Sequence, residues 1–488
     1  MYIVENVQSA AIRNRVERRN GSDMKIEIER FGPMKKFQYD LSKDLIVTYG
    51  NNNIGKSYSM QIVYLLLKTF RNQAELSGVQ ISTELETLKD QIKSDVTGFI
   101  SSDLITKDIT DVFSEYFFKA FTQIFMHEFL HSCQNTFGNF DQALEKHPVI
   151  HIVFHDFCFS ILLKEKRVEG SSEQKTVRLV KTESGFHKSL DKKDVFRIYV
   201  REDEEQPVRS MMQLLSESFA RWSQWIKEEF HQLSFLPASR SGIYSGMNAF
   251  GPIVAELSKN RAYITRKIEF PGISEPISDY FITLSNIKSK QNEQYKEYYT
   301  KIENEILKGK VTFDNDKNAL MYQPDKVEAQ FEMSEVSSMV SEISPIVAFL
   351  KYTLASQLEH GESGKSILFI EEPEAHLHPI NQIALVQVFS ELINADIKLV
   401  ISSHSNYVFH KLNNLVLAKQ LDFHAYQPIV LEDLKDGSVS KALQIDELGA
   451  SDENFVDVSE ALYYEREKII QEINREDSQC DPSDKNES

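Results

Sequence analysis

The segment Gly50-Asn51-Asn52-Asn53-Ile54-Gly55-Lys56-Ser57 constrains this chain more than any other. An apolar run with strand character, Leu45-Ile46-Val47-Thr48-Tyr49, leads into it. Apolar residues at helical spacing follow it: Met60, Ile62, Val63, Leu65, Leu66 and Phe70. A G-x-x-x-x-G-K-S string between a strand and a helix reads as a phosphate-binding loop. Its glycines let backbone N–H groups turn inward around phosphate oxygens, and the helix start adds the positive end of its dipole. The loop residues Gly50, Asn51, Asn52, Asn53, Ile54 and Gly55 would line the phosphates of a nucleotide. Lys56 would reach the β- and γ-phosphates, and the Ser57 hydroxyl would hold Mg.

Two later strands supply what hydrolysis of that nucleotide needs. Ile367-Leu368-Phe369-Ile370-Glu371-Glu372-Pro373-Glu374 is an apolar strand ending in paired carboxylates. At the carboxyl end of a strand, both acids fall in the crevice where parallel α/β sheets bind ligands. Glu371 would orient Mg through its water shell, and Glu372 would polarise the attacking water. Lys398-Leu399-Val400-Ile401-Ser402-Ser403-His404-Ser405 ends a further strand in a histidine. A lone histidine is more often structural, but the order of the three motifs favours a His404 that contacts the γ-phosphate and senses its loss.

Phosphate loop, Glu-Glu-Pro-Glu-Ala-His-Leu-His-Pro at 371–379 and Ser-Ser-His-Ser at 402–405, in this order, resemble the ABC-type ATPase heads of the SMC/RecF superfamily. The resemblance is nearest to the overcoming-lysogenization-defect (OLD) ATPases and related phage-defence ATPases, such as the Septu and PARIS ATPase subunits. It covers roughly residues 24–75 and 330–460, plus the strand near Phe235. It implies an α/β fold: an ABC-type head with a mixed β lobe and a helical lobe, here carrying a large α+β insertion. It also implies ATP and Mg as ligands, two copies of the chain closing around ATP, and a separate nuclease or toxin effector, with DNA open as a further partner. The family pattern requires a signature helix whose start meets the partner subunit's γ-phosphate. Ser334-Glu335-Val336-Ser337-Ser338-Met339-Val340 stands in that place, without the Gly-Gly of transporter signatures. Ser337 and Ser338 could cap a phosphate there, or act as an ordinary helix N-cap. Ser239 and Arg240 stand where the family has a glutamine; Arg240 could reach phosphate or form a salt bridge. OLD nucleases add a C-terminal Toprim domain. The stretch after His404 has no D-x-D strand and is too short for one, so the expectation is an ATPase without its own nuclease.

Other strings invite different chemistry. His127-Glu128-Phe129-Leu130-His131 matches the H-E-x-x-H of zinc proteases, but no third ligand follows at a familiar spacing and phenylalanines crowd it. The pair His376 and His378 belongs to the loop after the acidic strand in the resembled family. Gly364-Lys365-Ser366 precedes its strand instead of following one, and reads as a turn.

The chain has 488 residues and a net charge of −18. An acidic surface repels nucleic-acid phosphate, so any DNA contact would need a local basic patch; the Arg13–Arg19 stretch of the N-terminal arm could be one, but such a charge run is more often a solvated face. Cys133, Cys158 and Cys480 show no paired spacing, which fits a reducing cytoplasm better than a disulfide framework. No apolar run nears the roughly 18 residues of a membrane span. The organisation expected is an arm over 1–23, the first part of the head over 24–77, a lineage-specific insertion over 78–230, the rest of the head over 231–460 and a C-terminal tail over 461–488. Strands are expected at Lys25–Glu29, Lys36–Leu41, Leu45–Tyr49, His151–Leu163, Ser366–Ile370 and Lys398–Ser402. Short strands are expected at Val311–Phe313, Ala319–Tyr322 and Val327–Phe331. Helices are expected from the phosphate loop to about Gln73, over Val208–Gln232, through Ile277–Leu307 and from Ser338. Two other functions remain open: a RecF- or SMC-like DNA maintenance ATPase, and a structural scaffold in which ATP only glues an oligomer together.

Overall fold

Every residue of Leu45–Tyr49 is apolar or uncharged, and every one is buried. Only a strand covered on both faces reads that way. The computed structural model describes residues 24–76, 83, 85–96, 105–108, 110–154, 157–162, 165–166, 176–177, 197–200, 206–246, 273–287, 290–354, 365–450 and 463–471. Among these, ten strands form one sheet: β1 Lys25–Phe31, β2 Met34–Asp40, β3 Leu45–Tyr49, β4 Val149–Phe154, β5 Phe157–Leu162, β6 Gln232–Leu236, β7 Ser366–Glu371, β8 Ile397–Ser403, β9 Tyr426–Leu434 and β10 Gly437–Ala442. Their order across the sheet is β6-β7-β8-β3-β9-β10-β2-β1-β4-β5. The run β6-β7-β8-β3-β9 is parallel throughout. The far side is largely antiparallel, with β2 and β1 pairing as a hairpin and β4 and β5 as another. The fold is therefore α/β with a mixed sheet.

Side chains alternate across a strand, and here the alternation separates two cores. Ile367 and Phe369 of β7, Val400 of β8 and Ile46 of β3 face one core. Helices α1 (Lys56–Ala74), α2 (Thr110–Thr136) and α3 (Gln206–Glu229) fill that side. Leu368 and Ile370, Leu399 and Ile401, and Leu45, Val47 and Tyr49 face the other. Helices α4 (Glu275–Ser285), α5 (Lys296–Ile302), α6 (Ser338–Ala348), α7 (Pro379–Leu392) and α8 (Asn406–Leu417) cover it.

Several expectations shift in detail. The single strand expected over His151–Leu163 is the hairpin β4–β5, and it joins the main sheet beside β1. The 78–230 segment thus lends strands to the sheet, and α2 and α3 to the core around α1. The expected Val208–Gln232 helix stops at Glu229, because Gln232 already pairs with Ser366 as the first residue of β6. The long helix expected over Ile277–Leu307 is two helices, α4 and α5, followed by a π-turn over Glu303–Leu307. The short strand expected at Val327–Phe331 falls at Phe331–Glu332, the pair that meets Met321 and Tyr322. Neither β9 nor β10 nor helices α7 and α8 were expected from the sequence. The N-terminal arm, with its Arg13–Arg19 run, and the tail after Gln471 lie outside the described residues.

Phe369 is fully buried between Tyr64 of α1 and Phe235 of β6, with ring centroids 5.6 and 6.1 Å away. Phe369→Ala is expected to lower the unfolding free energy by about 3–5 kcal/mol. Ile282→Ala, at an exposed position, should stay within about 0.5 kcal/mol. Urea denaturation of both variants checks the contrast.

Candidate active site

The parallel register carries three motifs to one edge of the sheet. Glu371 pairs with Ser402, and Ser403 with Tyr49, so β7, β8 and β3 end side by side. The loop after β3 turns through positive φ at Gly50 (145°), Asn53 (64°) and Gly55 (101°). A Cβ on Gly50 would lie 2.5 Å from Ile54 and 3.1 Å from the Leu431 carbonyl, so that position needs glycine on both counts. The Ser438 hydroxyl of β10 donates to the Ile54 carbonyl at 2.5 Å and braces the loop from outside.

Lys56, the first residue of α1, is 6% exposed. Its ammonium donates to the carbonyls of Gly50 (2.9 Å) and Asn51 (2.7 Å) and lies 3.3 Å from Nδ1 of His404. Three donors thus meet three acceptors. With Nδ1 accepting from Lys56, Nε2–H of His404 donates to Oε1 of Glu372 at 3.0 Å. A continuous chain Lys56–His404–Glu372 links the three motifs. Burial pulls the Lys56 ammonium down to about 8, against the opposing pull of Glu372, Glu374 and Glu371. The hydrogen bond from His404 holds the Glu372 carboxyl below its ordinary value.

Glu371 is buried, and burial raises its carboxyl above the ordinary value despite bonds from the Ala238 N–H and the Ser57 side chain. Its Oε1 is buried without a hydrogen-bond partner among the described residues. An unpartnered carboxylate oxygen beside a serine hydroxyl is an all-oxygen donor set, and it fits a hard cation such as Mg. Glu371 and Ser57 are thereby brought together.

Two further residues brace this edge, the first with no role in the sequence reading and the second with two roles left open. Glu374 accepts from the Ser403 hydroxyl and the His404 N–H, both at 2.7 Å, tying the loop after β7 to the end of β8. Its only signal in the sequence is a third acid in Glu-Glu-Pro-Glu. The second is Arg240, fully buried. Of the two roles open to it, the geometry selects the salt bridge: its Nε lies 3.5 Å from Glu342 Oε2, and its guanidinium donates to the carbonyls of Glu371 (2.7 Å) and Glu372 (3.2 Å).

Ser337 and Ser338 are exposed, at the start of α6. Ser337 is its N-cap, accepting from the Val340 N–H at 3.5 Å. Neither lines the cleft of about 860 Å3 beside the phosphate loop, which Gly50, Asn51, Glu374, His404, Tyr407 and Asp433 help to form. The other strings go elsewhere. Glu128 accepts from Asn72, and the exposed His131 meets Asn135, while the His127 side chain lies outside the described residues. His378 caps α7, and His376 is exposed. Lys365 pairs with Asp44. Among the described residues, the potential metal-binding group is Glu27, Glu29 and His151. Lys36 already supplies a cation there, 2.8 Å from Glu27 and 3.6 Å from Glu29. No described helix is long and apolar enough to cross a membrane.

The family described as AAA ATPase domain matches residues 24–409. No curated protein matches the chain. Solved structures that resemble it include an SMC head bound to the C-winged helix domain of ScpA, at 10% identity over 88% of this chain and 98% of that one, with a TM-score of 0.37. The SMC head domain from Thermotoga maritima matches at 8% identity over 86% of this chain and 98% of that one, with a TM-score of 0.34. A Smc head domain with an extended coiled coil from Pyrococcus furiosus, bound to the C-terminal domain of ScpA, matches at 10% identity over 93% and 100%, with a TM-score of 0.35.

Glu371→Gln replaces a buried carboxylate with a neutral isostere that still accepts from Ala238. Because the folded-state value is raised, the carboxylate weakens the fold only above its ordinary range of about 4.5. The variant should therefore melt at a higher temperature than the wild type at pH 8. That gain should shrink as the pH falls towards about 4.5. Thermal melts at pH 5 and pH 8 check it.

Proposed function

The chain belongs to the AAA ATPase domain family, and from that premise we propose that it binds ATP with Mg at the Gly50–Ser57 loop and hydrolyses it to ADP and phosphate. The observation that carries this reading is the chain Lys56–His404–Glu372, set at the ends of three adjacent parallel strands. The N–H groups from Gly50 to Ser57, at the start of α1, receive the phosphates. Phosphate oxygens replace the Gly50 and Asn51 carbonyls as acceptors for Lys56. Ser57 and Glu371 would hold Mg, which would supply positive charge against the phosphate oxygens. Glu372 is kept ionised by His404, and its second oxygen is available to accept a proton from the attacking water. His404 sits between Lys56 and Glu372 and reports the γ-phosphate to both.

The exposed Ser337 and Ser338 support a composite site. Free N–H groups and hydroxyls at a helix start suit a γ-phosphate brought by a second copy of the chain. On this reading two chains sandwich ATP, and hydrolysis resets the pair. The resemblance of residues 371–379 to OLD-type and phage-defence ATPases extends the proposal to control of a separate nuclease or toxin subunit in bacterial defence. Co-purification of the chain from its native locus, with and without ATP, tests that extension; recovery of the chain alone in both conditions opposes it.

Glu372→Gln should keep ATP affinity, lower turnover by roughly 10²–10⁴-fold and accumulate an ATP-bound assembly. Steady-state phosphate release with size-exclusion chromatography checks this, and normal turnover would overturn the assignment of Glu372. The lowered Lys56 value gives a second expectation. In the free protein the ammonium loses its proton as pH rises through about 8, so affinity for a non-hydrolysable ATP analogue should fall above that pH. Lys56→Arg keeps its charge, so its affinity should stay level between pH 7 and 9.5.

A further inference from the structure

Arg240 and Glu342 form an ion pair in the core, 0% and 2% exposed. A buried pair of this kind is often no more stabilising than apolar side chains of the same volume, so its contribution is sought in geometry. That geometry joins two parts of the site. On one side, Glu342 lies on α6, four residues and one helical turn after Ser338. Its carboxylate accepts from the Arg240 N–H at 3.0 Å, the Ser241 N–H at 3.3 Å and the Ser241 hydroxyl at 2.6 Å. Its own carbonyl accepts from Nε of Arg240 at 2.9 Å. On the other side, the Arg240 guanidinium donates to the backbone carbonyls of Glu371 and Glu372. Glu372 has φ of 42°, a left-handed conformation that a glutamate adopts only when its surroundings hold it there. The bond from Arg240 to its carbonyl and the bond from its N–H to the Ser402 carbonyl at 3.0 Å do that. Tyr280 fixes the latch from α4 by donating to the Arg240 carbonyl at 3.2 Å.

We propose that Arg240 and Glu342 are positioning residues that couple the start of α6 to Glu372, so that a phosphate seated at Ser337 and Ser338 sets the orientation of the carboxylate that receives the proton from water. The inference rests on the ATPase reading above and deepens it. A displacement of α6 moves the Glu342 carboxylate, which carries the Arg240 backbone and guanidinium, and these carry the carbonyls of the two peptides that flank the Glu372 Cα. Neither Arg240 nor Glu342 touches the nucleotide on this account, so both act on turnover through Glu372.

A double-mutant cycle on the full chain tests the coupling. Glu342→Gln keeps the helix carbonyl and one acceptor oxygen for Ser241, and is chosen to preserve the fold; Arg240→Lys removes the bridge between the two carbonyls. Each is measured for steady-state ATP turnover, for affinity towards a non-hydrolysable ATP analogue and for melting temperature. The expected result for Glu342→Gln is a loss of about tenfold or more in kcat with analogue affinity within about twofold of wild type. In a Glu372→Gln background, the same substitution should lower turnover no further. Full turnover in Glu342→Gln, a matched loss of turnover and analogue affinity together with melting temperature, or losses that multiply in the double variant would each overturn the proposal. If the wild type itself shows no turnover, the ATPase reading falls and the coupling with it. If the wild type turns over and Glu372→Gln loses turnover while Glu342→Gln does not, only the coupling falls.

Discussion

The parallel ladder of β7, β8 and β3 is the constraint on which the rest of this protein depends. Hydrogen-bonded strands lie roughly 4.8 Å apart, so strands that run the same way and end in register deliver their next residues to one small volume. With Glu371 opposite Ser402 and Ser403 opposite Tyr49, those next residues are Glu372, His404 and Gly50. The ladder is rigid because it is buried on both faces. The apolar residues of each strand divide between the core around α1, α2 and α3 and the core around α6, α7 and α8.

Electrostatics then divides the labour among groups that sit close together. Glu371, Glu372 and Glu374 are three carboxyls in four residues, and the environments of the first two push them in opposite directions. Burial raises Glu371, whereas His404 holds Glu372 down. Glu374 spends one oxygen on Ser403 and His404. Against a net charge of −18, phosphate binding has to be local. Lys56 and the N–H groups at the start of α1 concentrate positive charge at one point, and burial makes the Lys56 charge sensitive to pH.

The loops after β6 and β7 and the start of α6 bring the remaining parts to the site. Ala238 and Arg240 come from the loop after β6, and Glu342 comes from α6, 102 residues beyond Arg240. Ala238 bonds the Glu371 carboxylate, while Arg240, held by Glu342, bonds the carbonyls of Glu371 and Glu372. Helix α6 and the acid pair are thus joined through a single buried arginine.

Much of this was legible in the residues. Phosphate loop, acid pair and strand-end histidine follow from local rules: glycine at positive φ, a strand of apolar residues buried on both faces, and polar groups where a strand ends. Boundaries blurred where local preference competes with pairing. Gln232 follows a helical pattern but belongs to β6, because Ser366 pairs with it. The His151–Leu163 stretch looks like one strand until β1 selects a register for half of it. Nothing local announces that Glu374 braces His404, that Ser438 props the phosphate loop, or that Arg240 turns away from phosphate and into the core. By itself the sequence determined which side chains and turns stand at the ends of β3, β7 and β8, since those are specified within a few residues. Tertiary structure alone decided which charges are buried against which, because hydrogen-bond partners 100 or more residues apart, such as Arg240 with Glu342 and with Glu371, exist only once the sheet and its helices have assembled.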